Sequence, residues 1–200
     1  MFWGRCASQS ILTRLQGFSE RGFELGKPGV HPSPLKRFDL LLRYINKSKR
    51  FILIGAGAFG PGILQRDLVV SPQHRILVGG LGQLEGVFDG QVFAPAKALV
   101  GLPRIRAMKG KARITWMHFA LERHSVVRAG GCYSESLLLG PMVVNGLSGM
   151  QRRALDAVFG RAAPGEALNG PAARECLAVG VVAENIRAGK AQMMRAGAAA

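Results

Sequence analysis

FILIGAGAFGPGILQRDLVVSPQHRILV, residues 51–78, is the stretch on which the fold turns. An apolar run leads into Gly55-x-Gly57-x-x-Gly60, the spacing that in a strand–turn–helix unit seats a dinucleotide pyrophosphate on a helix N-terminus. Such a unit also needs a helix opening at the third glycine and an acidic residue roughly 20 positions on to hold the ribose. Here Pro61 and Gly62 follow Gly60, then comes Asp67, and the β-branched run DLVVSP points to another strand. Nothing acidic stands between Asp67 and Glu85. The glycines therefore read as a tight, irregular connection between two strands. NAD binding through GAGAFG stays as an alternative from another functional class, and no cofactor is expected.

Outward from this stretch, the texture from 50 to about 140 is β. FILI, DLVV, HRILV, QVFAP, RITWMHFAL and HSVVRA are short apolar or alternating runs separated by Gly, Pro and Asp. After Gly140 the pattern turns helical. Ser148 caps a helix in which Met150, Ala154, Leu155, Val158 and Phe159 form an apolar stripe, with Arg152, Arg153 and Asp156 opposite. A second helix is predicted over about 172–188, between Pro171 and Gly189, with the tail RAGAAA fraying. Residues 37–47 are predicted to form a short helix, since Phe38, Leu41, Leu42 and Ile45 recur at helical spacing. The fold class is mainly β, short strands with a C-terminal helical extension. Three parts are expected: a divergent or poorly ordered arm over 1–36, a β domain over 37–145, and a helical extension over 146–200.

The 200 residues are 48% hydrophobic, which argues against disorder. No apolar run approaches the roughly 20 residues that cross a bilayer, and the start shows no signal peptide. A cytoplasmic location is the default expectation. Cys6, Cys132 and Cys176 are widely spaced and odd in number, so neither a disulfide framework nor a metal site is expected. Lys and Arg number 27 against 12 Asp and Glu, a net charge of +15 that would draw the chain towards polyanions. The basic residues gather in RFDLLLRYINKSKR (37–50) and RIRAMKGKAR (104–113). Neither interleaves aromatics like an RNA-binding sheet, so solvated exposed faces are the main reading. A binding module for nucleic acid or an acidic surface is the alternative.

Ser71-Pro72-Gln73-His74 places a hydroxyl three residues before a histidine at a bend between two strands. This resembles the Thr-x-x-His block of the Hedgehog/intein, or Hint, autoprocessing domains. The likeness extends through 51–78, then VFAPAKALVG at 92–101, ITWMHFALERHSVVRAGGCYSESLLLGPM at 114–142 and ALNGPAARECL at 167–177, which are similar to bacterial Hint proteins in content and order.

The resemblance implies an intramolecular substrate, a peptide bond of the chain itself. A cysteine that opens such a domain attacks the preceding carbonyl, an N-to-S acyl shift in which a histidine polarises the amide and protonates the departing nitrogen. Carried over by motif, His74 is that histidine and Ser71 stands where the family orients the scissile amide. His124 resembles the histidine of the later block beside the active site. His118, alternating with Trp116 and Ala120, reads as structural. CYSESLLLG has no Asn where inteins end in His-Asn, so splicing is not expected. The resemblance thus implies a single-turnover autoproteolytic domain. Nothing in 1–37 reproduces its Cys-led opening block; Cys6 has the wrong followers and only five residues ahead of it. The domain is expected to be truncated at its start and inactive as it stands. Cys132 is expected to be a small strand residue.

Overall fold

The computed structural model describes residues 11–14, 23–24, 40–46, 51–108 and 114–198, with side chains for 51–108 and 120–189. Eleven strands are formed among the described residues. They are β1 (Ile11–Arg14), β2 (Phe23–Glu24), β3 (Leu40–Asn46), β4 (Phe51–Ile54), β5 (Leu68–Val70), β6 (Arg75–Val78), β7 (Val92–Pro95), β8 (Ile105–Met108), β9 (Ile114–Ala120), β10 (Val126–Ala129) and β11 (Cys132–Glu135). Three helices follow, α1 (Pro141–Asn145), α2 (Gly149–Phe159) and α3 (Val179–Ala198). The strands make sheets of order β1-β3-β9, β2-β10-β11-β6-β7 and β5-β4-β8. The fold is mainly β with a helical C-terminal extension, as the sequence predicts.

Each of the six strand-like runs forms a strand, because alternation between Gly and Pro breaks offers one face to a core. In β6, Ile76 and Val78 enter the largest core cluster, while Leu77 enters another with Phe93 and Val126. All three are fully buried, worth about 2 kcal/mol each in apolar surface removed from water. A strand covered on both faces is a fixed frame for whatever its end carries.

The predicted helix over 37–47 is a strand instead. Leu40–Asn46 pairs antiparallel with β9 over seven residues, Leu40 opposite Ala120 through Asn46 opposite Ile114, and with β1 on its other edge. Helical spacing of the apolar residues is outweighed by this two-sided pairing. Ile105–Met108, inside the basic stretch 104–113, is also a strand, paired with β4. Of the N-terminal arm, β1 and β2 are described, and the rest, with Cys6, lies outside the described residues.

Ser148 caps α2 as predicted: its Oγ accepts the Gln151 N–H at 3.4 Å, and Gln151 Oε1 accepts the Ser148 N–H at 2.8 Å. That reciprocal box turns Gln151 inward, so the buried line is Gln151, Leu155 and the partly buried Phe159. Met150 and Val158 face outward, which corrects the predicted stripe. The last helix begins at Val179, not near 172, because 175–177 run alongside β7. It continues through Gly189 to Ala198, so the predicted stop and the fraying from 195 do not hold for 195–198. Gly189 serves close approach: a Cβ there would lie 3.2 Å from a Val87 methyl.

Residues Gly55–Gly62 form the expected irregular turn, with no helix beginning there. The N–H groups that would cradle a pyrophosphate donate within the protein, Ala56 to Asp67 Oδ1 at 2.9 Å, Gly57 to the Leu64 carbonyl, Ala58 to Gly55 and Gly60 to Gly57. Gly57, at φ +71°, allows the chain to double back so tightly.

Candidate functional site

The sheet order β10-β11-β6 explains why distant residues meet. β11 lies between two antiparallel neighbours, so the start of β6 and the start of β10 stand beside the end of β11. His74 immediately precedes β6, His124 comes just before β10, and Glu135 closes β11 opposite Val126.

The bend carrying His74 is held from both sides. The Ser71 hydroxyl oxygen and the Ser71 carbonyl both accept the His74 N–H, at 3.2 and 3.1 Å. The 3-10 turn Ala96–Leu99 supplies two further bonds, Ala96 N–H to the His74 carbonyl at 2.8 Å and Lys97 N–H to the Pro72 carbonyl at 3.0 Å. Ser71 thereby fixes the turn on which His74 is displayed. His74 is partly buried. Burial lowers its pKa from the ordinary 6.5, and the nearby Glu135 carboxylate acts in the opposite direction.

His124 is buried, at 4% exposure, and its ring packs edge-on against Phe93 with centroids 5.5 Å apart. Its Nδ1 accepts the Ala173 N–H at 3.0 Å. An accepting Nδ1 carries no proton, so the neutral ring bears it on Nε2. That atom faces Glu135 Oε2 at 3.3 Å. Asn169 adds a second hold: its carbonyl accepts the His124 N–H at 2.9 Å. The site thus depends on 167–177, the last of the segments singled out in the sequence.

Sequence reasoning does not single out Glu135 as a site residue. Its Oε1 accepts the Arg75 N–H at 2.9 Å, while Oε2 lies 3.8 Å from Arg75 Nε as well as beside His124. The available signal is compositional, for Glu135 is the one acid between Glu122 and Asp156 in a chain of net charge +15. Cys132 is a buried strand residue whose pKa burial pushes up to about 12. Burial also raises that of Cys176, partly offset by Arg75. Neither thiol is poised as a thiolate nucleophile. His118 lies in β9 opposite Leu42, and its side chain is outside the described residues. Among the described residues, no group of three or more His, Cys, Asp or Glu is disposed to hold a metal ion. No described helix is long and apolar enough to cross a membrane.

No curated protein and no solved structure matches this chain. A family model described as Hint domain matches residues 37–141, from just before β3 to the first residue of α1. That span covers more than half of the 200 residues and holds Ser71, His74, His124 and Glu135. The chain therefore belongs to the Hint domain family, the family of Hint-type autoprocessing domains.

Proposed function

We propose that the chain carries the proton-transfer half of a Hint autoprocessing site, with His74 as the acid–base residue, Ser71 as the residue that fixes its bend and His124 as its neighbour. The observation that supports this most is the meeting of the Ser71–His74 bend and His124 on either side of Glu135, within the family-matched span. The division into an arm over 1–36, a Hint-like β domain over 37–145 and a helical extension over 146–200 belongs to the same reading. Asn169 and Ala173 of the extension clamp the β domain at the site.

The reaction would be an N-to-S acyl shift at a peptide bond preceding a cysteine. The thiol sulfur forms a bond to the carbonyl carbon, the carbon–nitrogen bond breaks, and the thiol proton passes through the imidazole to the departing nitrogen. A histidine with lowered pKa suits this shuttle, since it is neutral near pH 7 and, once protonated, a stronger acid than ordinary imidazolium. Cleavage without splicing is the expected outcome, because CYSESLLLG offers no terminal Asn to cyclise.

Residues 1–37 show no counterpart of the Cys-led block, so the purified chain is expected to show no self-cleavage with dithiothreitol or hydroxylamine. Replacing residues 1–37 with the opening block of an active bacterial relative, preceded by a reporter, should restore thiol-induced release. His74→Ala in that chimera should slow release by about a hundredfold or more, the usual size of a general acid–base contribution. Cleavage by the unmodified chain would mean that another nucleophile operates. Equal release by a folded chimera lacking His74 would remove its proposed role.

A further inference from the structure

We propose that Glu135 is the positioning residue of this site, a single carboxylate that locks the Ser71–His74 bend and His124 into one relative orientation. The inference rests on the Hint reading above, and it names a residue that the family resemblance did not.

The geometry carries it. One carboxylate oxygen accepts the backbone N–H of Arg75, the residue joined to His74, at 2.9 Å. The other lies 3.3 Å from His124 Nε2. His124 has a fully enclosed side chain, and its Nε2 has no hydrogen-bond partner among the described residues. With Nδ1 occupied by the Ala173 N–H, Nε2 must carry the ring proton, and Glu135 Oε2 stands 3.3 Å from that nitrogen. A buried N–H left so is costly unless an acceptor stands within reach, and Glu135 Oε2 is the acceptor that the fold brings there. β11 is central in its sheet, so one side chain at its end reaches both neighbouring strands.

The groups facing Glu135 are Arg75 from β6, His74 from the bend before it, His124 from the turn into β10, and Cys176 from the segment before α3. A simple ion pair with Arg75 would be the lesser role. The Arg75 guanidinium is 3.8 Å away and partly exposed, whereas the backbone bond and the His124 contact are shorter and more enclosed. Exposed ion pairs contribute little.

The test uses the full chain labelled with 15N, with long-range 1H–15N correlations reading the tautomer and titration of each imidazole. Glu135→Gln keeps an oxygen for the Arg75 N–H but removes the charge. In the native chain His124 should show only the Nε2–H tautomer, with slow exchange of that proton. In Glu135→Gln the His74 midpoint should shift further down, because the carboxylate that favours imidazolium is gone, and the His124 Nε2–H signal should be lost to exchange. Glu135→Asp, which keeps the charge on a shorter stem, should restore the His74 midpoint more fully than the His124 signal. Unchanged histidines in folded Glu135→Gln would overturn the proposal. So would Arg75→Met reproducing the effects, since Glu135 would then act only through that arginine. Should Glu135→Gln fail to fold, a His124 signal unaltered in Glu135→Asp would overturn it equally. These readouts need no cleavage: a folded chimera that releases no reporter overturns the Hint chemistry, whereas unmoved titrations overturn the role of Glu135.

Discussion

Asn169→Ala should be among the most damaging single substitutions outside the apolar core. The Asn169 side chain is 1% exposed and makes three hydrogen bonds to backbone. Its Oδ1 accepts the Leu139 N–H at 2.8 Å, and its Nδ2 donates to the carbonyls of Leu137 at 2.8 Å and Leu121 at 3.3 Å. One donor and two acceptors face it, so only an amide matches the set. Three such bonds at about 1 kcal/mol each give about 3 kcal/mol, and stranding the buried Leu139 N–H raises the cost towards about 5 kcal/mol. Against a typical net stability of about 5–15 kcal/mol, that is a large fraction. The loss should also reach the site, since the Asn169 carbonyl holds the His124 N–H.

Urea unfolding followed by circular dichroism measures the cost directly, with Asn185→Ala as the control. Asn185 donates to the Val181 carbonyl on an exposed face of α3, and its removal should stay within about 0.5 kcal/mol. Asn169→Asp should be no milder than Asn169→Ala, because it sets a buried carboxylate against two carbonyl oxygens. A loss below about 1 kcal/mol for Asn169→Ala, with an unchanged denaturant slope, would refute the view that this amide ties the extension to the β domain.

Burial holds the His74 pKa below 6.5, so the unfolded chain binds its proton more readily than the folded one. Stability should therefore decline as pH falls from 6.5 through the folded pKa, and His74→Asn should flatten that part of the curve; equal slopes in both proteins would contradict it. Cys132 should resist iodoacetamide at neutral pH until urea is added, judged by mass spectrometry, since burial raises its pKa to about 12. Modification at the rate of a free thiol would disprove this. Gly189→Leu should destabilise by about 1–3 kcal/mol through collision with Val87, and a rise in melting temperature would rule out that close contact.

What the sequence reveals of this fold follows from how local each signal is. Apart from β8, which hides in the basic stretch 104–113, the strands from 51 to 129 are legible because alternation and Gly or Pro breaks are properties of a few neighbouring residues. The Ser148 cap is legible for the same reason. Leu40–Asn46 is misread because its partners in β9 lie far along the chain, from Ala120 opposite Leu40 to Ile114 opposite Asn46, and no local pattern distinguishes a two-sided strand from an amphipathic helix there. The late start of α3 has a similar cause. Phe93 N–H donates to the Glu175 carbonyl and Leu177 N–H to the Phe93 carbonyl, contacts that hold 175–177 extended although the composition favours helix.

The site divides along the same line. Ser71 and His74 can be read together because they form one turn, in which the hydroxyl three residues before the histidine caps its backbone. His124 is marked only by its resemblance to a family block, since what makes it rigid, Ala173 and Asn169, lies some 45 residues away. Glu135 is hidden altogether: its shortest bond is to Arg75, 60 residues back, and it stands between the two histidine-bearing strand starts only through the order β10-β11-β6. A central strand with antiparallel neighbours on both sides brings two strand starts to its own end, so its last residue faces whatever side chains those starts carry. In this chain the two starts carry the histidines, and the residue between them is an acid.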